Sequence, residues 1–122
     1  MKILIVDDSK VMRSIVKRTL RQAGFGGHEV VEAANGAEGL NQVKAETPDI
    51  VLCDWNMPEM NGIELLRELR SGGNEVKFGF VTSEGTPEMQ STATEAGALF
   101  LITKPFTAED FEKTLNPHLT AA

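Results

Sequence analysis

The sequence predicts an α/β fold, a five-stranded parallel sheet doubly wound with five helices. Three observations carry this reading. Five short apolar runs alternate with five stretches of helical periodicity, the pattern of successive βαβ units. The runs are apolar throughout instead of alternating with polar residues, as expected for strands covered on both faces. Four of them stop on a polar or charged group: Ile3-Leu-Ile-Val6 runs into Asp7-Asp8, Val51-Leu-Cys53 into Asp54, Val81 into Thr82-Ser83, and Ile102-Thr103 into Lys104-Pro105.

The first strand is Lys2 to Val6. Asp8 or Ser9 caps the following helix, whose apolar face is read as Val11, Ile15, Val16, Leu20 and Ala23, and Gly24 stops it. The glycine-rich turn at 24–27 leads to a second strand, about Glu29 to Ala33. Asn35-Gly36 turns into a short helix with Ala37, Leu40 and Val43 inward, ended by Pro48. Ile50 to Cys53 is the third strand. Pro58 and Asn61-Gly62 turn the chain into a helix from about Gly62 to Arg70, burying Ile63, Leu65, Leu66 and Leu69.

The fourth strand is about Val76 to Val81. Its following helix is marked at both ends, by Thr86 as N-cap with Pro87 at the first helical position and by Gly97 after the last turn. The core face of this helix is thin: Met89, Ala93 and Ala96. The fifth strand is Leu99 to Ile102. The last helix starts at Thr107, with Asp110 three positions on and Phe106 and Phe111 spaced as a hydrophobic staple. Phe111, Leu115 and Leu119 form its apolar side, and Pro117 should weaken it near Asn116.

At 122 residues the chain is long enough for one domain, 1–122, with one core. There are 18 acidic and 12 basic residues, a net charge of −6, which argues against nonspecific binding to nucleic acid or an anionic membrane. No apolar run approaches membrane-spanning length, and the apolar run after Met1-Lys2 is too short for a signal-peptide core. The lone Cys53 excludes an internal disulfide and fits a reducing compartment, so a cytoplasmic protein is expected. Cys53 itself reads as a small buried strand residue. His28 and His118 lie outside every motif and read as surface residues; the Met and Phe residues read as packing. No nucleotide-binding loop is present.

Ligands of an open parallel sheet bind outside the carboxyl ends of its strands. That edge is where Asp7, Asp8, Asp54, Thr82 and Lys104 are placed. Carboxylates crowded together repel unless protonated or neutralised by a cation. A hard divalent ion such as Mg²⁺ with oxygen ligands is the natural partner. A carboxylate is also a competent nucleophile toward phosphorus, and phosphoryl transfer needs little beyond alignment and neutralisation of the phosphoryl oxygens. Individually, Asp8 is as well explained as a helix cap, Thr82 as a strand residue and Lys104 as solvated surface; their joint position is what points to chemistry.

These residues carry a resemblance. Val6-Asp7-Asp8-Ser9, Asp54-Trp-Asn-Met-Pro58 with Asn61-Gly62, Val81-Thr82-Ser83-Glu84, Ala96-Gly97-Ala98 and Lys104-Pro105-Phe106 resemble, in order and spacing, the receiver domains of two-component response regulators in their stand-alone, CheY-like form. The resemblance implies the flavodoxin-like strand order 2-1-3-4-5. It further implies Asp54 as phosphoacceptor and Asp8, Asp54 and the Asn56 carbonyl as Mg²⁺ ligands. Asp7 would act on the metal through water, Thr82 and Lys104 would contact the phosphoryl group, and Lys104-Pro105 would be cis.

The implied function is a phosphorylation-dependent switch that takes its phosphoryl group from a histidine kinase or phosphotransfer protein. It would be a monomer acting on an unidentified downstream protein, and not an enzyme beyond its own phosphorylation and dephosphorylation. A phosphate sink for another regulator is an alternative. A haloacid-dehalogenase-type phosphatase would use similar groups but places Asp-x-Asp at the end of its first strand, where this chain has Asp7-Asp8-Ser9. Two departures concern output. Leu101 stands where the family commonly has a Tyr or Phe, with Phe100 expected on the opposite side of the strand, and the helix from Pro87 to Ala96 contains no Lys or Arg.

Overall fold

The computed structural model describes residues 2–119. Within them, strands β1 (Lys2–Val6), β2 (Glu29–Ala33), β3 (Ile50–Cys53), β4 (Lys77–Thr82) and β5 (Phe100–Thr103) alternate with helices α1 (Lys10–Gln22), α2 (Gly36–Glu46), α3 (Gly62–Ser71), α4 (Pro87–Ala96) and α5 (Ala108–Leu119). The strands form one parallel sheet in the order β2-β1-β3-β4-β5, as expected.

Successive side chains point to opposite faces of a strand, and all-apolar strands therefore supply two cores. Leu4, Val6, Val51, Cys53, Phe78 and Phe80 face α2, α3 and α4. Ile3, Ile5, Ile50, Leu52, Val81 and Ile102 face α1 and α5. Each fully buried Leu, Ile or Phe contributes about 1.5–3 kcal/mol relative to its exposed state. The register pairs Val6 with Cys53 and Cys53 with Phe80, so the residues following β1 and β3 emerge at the same edge.

The helix ends follow the sequence signals closely. Ser9, not Asp8, caps α1 by accepting from the Met12 amide. Thr86 caps α4, and Gly97 ends it at φ 103°. Thr107 and Asp110 exchange hydrogen bonds at the start of α5, and the Phe106 and Phe111 rings lie 4.6 Å apart. A capping box between Asn61 and Glu64 at the start of α3 was not anticipated.

Several local expectations are corrected. Val11 is 70% exposed, and Met12 packs against the core in its place, alongside Val16, Leu20 and Ala23. Val11 and Val16 are five positions apart, about 140° round the helix, too far to share one stripe. In α2 it is Gly36, Gly39 and Val43 that are buried, with Ala37 exposed. A Cβ on Gly36 would stand 2.7 Å from Met60 Cγ, and one on Gly39 3.2 Å from Val6 Cγ2, so close approach selects residues that an apolar-size rule overlooks. β4 and β5 each begin one residue later than read, leaving Leu99 outside the strand and 46% exposed.

Pro117 does not weaken α5, which runs on to Leu119. Its last turn is held from outside, by the Lys77 ammonium donating to the His118 carbonyl at 2.9 Å and by the His118 ring against Phe100. His118 and His28 are accordingly half-buried and not plain surface groups; His28 lies against Phe25. The expected inward side chain of Leu119 lies outside the described residues.

Candidate phosphoryl-transfer site

β1 and β3 deliver their following residues side by side, because the Asp54 amide donates to the Val6 carbonyl at 2.9 Å. Asp7 and Asp54 are nearly buried, and Asp8 is exposed. Carboxylate oxygens of all three lie within 4.8 Å of one another. Lys104, after β5, reaches in with its ammonium 3.5 Å from Asp7 Oδ2 and 3.7 Å from Asp54 Oδ1. The Lys104-Pro105 peptide is cis. The Lys104 amide also donates to the Thr82 carbonyl at 2.7 Å, tying the end of β5 to that of β4.

Thr82 is fully buried at the end of β4, and its hydroxyl accepts from the Glu84 amide at 3.4 Å. Asn56 is exposed, two residues beyond Asp54. The expected residues thus converge on one sheet edge, with Asp7, Asp8, Asp54 and Lys104 in a single cluster and Thr82 and Asn56 on the loops and strand end around it.

Burial pushes the Asp7 carboxyl above the usual range, with Asp8 adding to the shift, while the Ser9 amide and Lys104 oppose it. Burial likewise pushes Asp54 up, with Lys104 opposing and Asp7 adding. One lysine shared between two carboxylates, with a third beside them, leaves the cluster short of positive charge. The donor set is all oxygen, carboxylate and compactly arranged, which fits a hard divalent cation such as Mg²⁺ and not a soft one. Cys53, by contrast, is fully buried, and burial pushes its thiol well above the ordinary range.

Two residues outside the sequence reading shape the site. The Arg13 guanidinium donates to the Asp7 carbonyl at 2.7 Å and to Glu32 Oε1 at 2.9 Å, so it braces the backbone that presents the acidic pair. Nothing in the sequence pattern marks Arg13, since its partner is a main-chain oxygen. Gly62 is the second: a Cβ there would collide with the Asp54 carbonyl and stand 2.8 Å from Phe80 Cε1. Its amide donates to the Trp55 carbonyl at 2.9 Å, closing the loop after Asp54 onto the start of α3. The sequence marks Asn61-Gly62 as a turn, a helix start and part of the family resemblance; the tight seat of Gly62 is a tertiary fact.

The output side shows the expected strand alternation. Leu101 packs partly buried on the α2–α3–α4 side, and Phe100 lies on the α1–α5 side. The β4–α4 loop sits directly on β5, where a Cβ on Gly85 would collide with the Thr103 methyl and stand 3.4 Å from Leu101 Cδ2.

Comparison with known proteins agrees with this geometry. The family model described as "Response regulator receiver domain" matches residues 3–116. The chain is 39% identical over 118 residues to chemotaxis protein CheY1 of Helicobacter pylori, covering 94% of each. It is 40% identical to a CheY homolog of Campylobacter jejuni, covering 94% of this chain and 89% of that one. Among solved structures, Vibrio cholerae chemotaxis protein CheY4 superposes with a TM-score of 0.85 at 35% identity, covering 97% of this chain and 98% of that one. A response regulator receiver domain protein from Clostridium thermocellum superposes with a TM-score of 0.84 at 28% identity, covering 97% and 93%. A doubly wound sheet with a lysine-bridged acidic cluster at its carboxyl edge, matched by the family model over nearly its whole length, places the chain in the response regulator receiver domain family.

Proposed function

We propose that the chain is a phosphorylation-dependent signalling switch of the CheY type, in which Asp54 accepts a phosphoryl group from a histidine kinase or a histidine phosphotransfer protein. The observation that carries this reading is the position of Asp54. It is nearly buried, within one cluster with Asp7 and Asp8, and 3.7 Å from the Lys104 ammonium.

Asp7, Asp8 and Asp54, with the main-chain carbonyl of Asn56, would hold Mg²⁺. When bound, the ion supplies positive charge against the carboxylates and the phosphoryl oxygens. Asp54 attacks phosphorus through a carboxylate oxygen; the P–N bond to the donor imidazole breaks and the electron pair leaves with that ring. Lys104 pairs with a phosphoryl oxygen and Thr82 donates its hydroxyl to another, both being charge-assisted contacts that exist only in the phosphorylated state. The same groups support loss of the phosphoryl group to water, so the protein's catalysis is confined to its own modification cycle.

The protein is read as a single receiver domain, cytoplasmic and monomeric, whose output is contact with another protein. Among the described residues no helix is long and apolar enough to cross a membrane. A second reading, a sink that drains phosphate from another regulator, is favoured by Leu101, which stands where the family commonly has a Tyr or Phe. Acetyl phosphate with Mg²⁺ should place one acid-stable, base-labile phosphoryl group on the parent and none on Asp54→Asn. Full labelling of Asp54→Asn would overturn the assignment. Phosphotransfer assays with candidate kinases, followed by decay measurements, separate the switch from the sink, since a sink should accept quickly and bind no target.

A further inference from the structure

The Asp7-Asp8 pair is held unevenly. The Asp7 amide donates to the Ala33 carbonyl at 3.1 Å, and its carboxylate accepts from the Ser9 amide at 2.9 Å and faces the Lys104 ammonium at 3.5 Å. Asp8 is exposed, and among the described residues no group donates a hydrogen bond to its carboxylate. Its place therefore depends on the backbone on either side of it. A peptide unit is planar, so fixing the oxygen of the Asp7–Asp8 peptide fixes where the Asp8 Cα stands. That oxygen is the one that accepts from Arg13 Nη1, at 2.7 Å. The Arg13 amide also donates to the Ser9 carbonyl at 3.0 Å, so one residue holds the chain on both sides of Asp8.

Ordinary structural duties do not account for Arg13. It stands near the amino end of α1, whose first turn has no acidic residue, so its charge has the wrong sign for the helix dipole. Nor is it needed to tie α1 to β2, since Lys17 already pairs with Glu32 Oε2 at 3.0 Å. Arg13 takes the other oxygen of Glu32, at 2.9 Å, with a side chain only 14% exposed. Glu32 thereby aims the guanidinium, whose planar fork places one donor on that carboxylate and another on the Asp7 carbonyl.

We propose that Arg13, oriented by Glu32, is a positioning residue for Asp8 and so sets the affinity of the acidic cluster for a divalent cation. The proposal rests on the reading of Asp7, Asp8 and Asp54 as a Mg²⁺ site, but not on which of them is phosphorylated. The sign of the effect separates position from charge. Acting by charge alone, a guanidinium beside a cation site repels the ion, and its removal would tighten binding. Acting by position, its removal loosens Asp8 and weakens binding; groups that orient metal ligands matter by about 10–100-fold in affinity.

The test titrates MgCl₂ into the full chain and follows the amide NMR shifts of residues 7–9 and 54–56. Arg13→Ala should raise the dissociation constant about tenfold. The Mg²⁺ concentration that gives half-maximal labelling of Asp54 by acetyl phosphate should rise by the same factor. Arg13→Lys keeps the charge but not the fork, and should weaken binding by nearly as much. Glu32→Ala should act in the same direction. Arg13→Ala/Glu32→Ala should bind no more weakly than Arg13→Ala, because Glu32 acts through Arg13. Lys17→Ala, which removes a cation from the same carboxylate without touching Asp7, should stay near the parent. Unchanged or tighter binding by folded Arg13→Ala, or parent affinity in Arg13→Lys, overturns the proposal. Should Arg13→Ala fail to fold, Arg13→Lys and Glu32→Ala carry the test. A parent that is not labelled at Asp54, but whose Mg²⁺ affinity falls in Arg13→Ala, leaves the brace standing and overturns the switch. Labelling of the parent with equal affinity in Arg13→Ala does the reverse, and a parent that binds no Mg²⁺ overturns the brace together with the metal reading.

Discussion

Helices α3 and α4 are neighbours of equal length, ten residues each, and both have well-formed ends. Their packing is opposite. α3 buries Gly62, Ile63, Leu65, Leu66 and Leu69, and its first residue is seated against the Asp54 carbonyl. α4 buries only Ala93. It is fastened mainly at its carboxyl end, where the Arg70 guanidinium donates to the Gly97 carbonyl at 3.0 Å. Capping determines where a helix starts and stops, and the side chains beneath it determine how much it costs to move. α3 is anchored against the loop that follows Asp54, while α4 has few buried side chains to lose by shifting, a division that would suit the proposed switch.

The largest expected difference is in stability. Leu66→Ala, in the floor of α3, should cost about 2–5 kcal/mol, while Met89→Ala on the thin face of α4 should cost less than about 1 kcal/mol. Denaturant titrations of the two variants check this, and equal costs would dissolve the contrast. Gly62→Ala should follow at about 1–3 kcal/mol, because the new methyl has backbone on one side and Phe80 on the other. It should also lower the labelling rate at Asp54, whereas Gly85→Ala, on the β4–α4 loop, should leave that rate closer to the parent's. Single-turnover labelling distinguishes them.

Charge gives a smaller effect with a definite sign. Burial raises the Asp54 carboxyl above its ordinary value of 3.8. A carboxyl whose folded pKa is raised contributes stability while protonated. That contribution is full below the ordinary value and is lost as pH rises through the raised one. In metal-free buffer the gap in Tm between Asp54→Asn and the parent should therefore open as pH climbs from the acid side toward neutrality. Mg²⁺ should narrow it by binding the parent more tightly. A gap independent of pH would show that the buried charge carries no such cost.

The finest effect concerns response. On phosphorylation, amide-exchange changes should concentrate in residues 83–97, the β4–α4 loop and α4, and leave α3 nearly unchanged. Leu101→Tyr, which adds volume and a hydroxyl beneath that loop, should alter partner affinity while leaving the labelling of Asp54 as it is. Exchange changes spread evenly over α3 and α4 would remove the distinction between them.

Much of this architecture was legible in the chain. The alternation of apolar runs and helical periods determined the fold class, since period and strand length are local properties. Runs that stop abruptly on Asp7, Asp54, Thr82 and Lys104 pointed to one sheet edge, because parallel strands deliver all their carboxyl ends to the same side. Thr86, Pro87, Gly97 and Thr107 marked helix ends through interactions spanning only a few residues. Strand order came from family resemblance and not from any local pattern.

Other features were decided only when distant segments met. Val11 faces out and Met12 in because the sheet covers the stripe of Val16 and Leu20, which Met12 shares and Val11 does not. Gly36 and Gly39 form part of the buried face of α2 because Met60 leaves no room for a side chain at the first and Val6 little at the second. Pro117 stays helical because Lys77 and Phe100, from β4 and β5, hold the turn that contains it. The brace from Arg13 to the Asp7 carbonyl and the reach of Lys104 to two carboxylates are likewise distances between elements far apart in sequence. A sequence states which groups a strand end will carry; how near they stand, and what must be absent to let them, is a property of packing between segments that share no local signal.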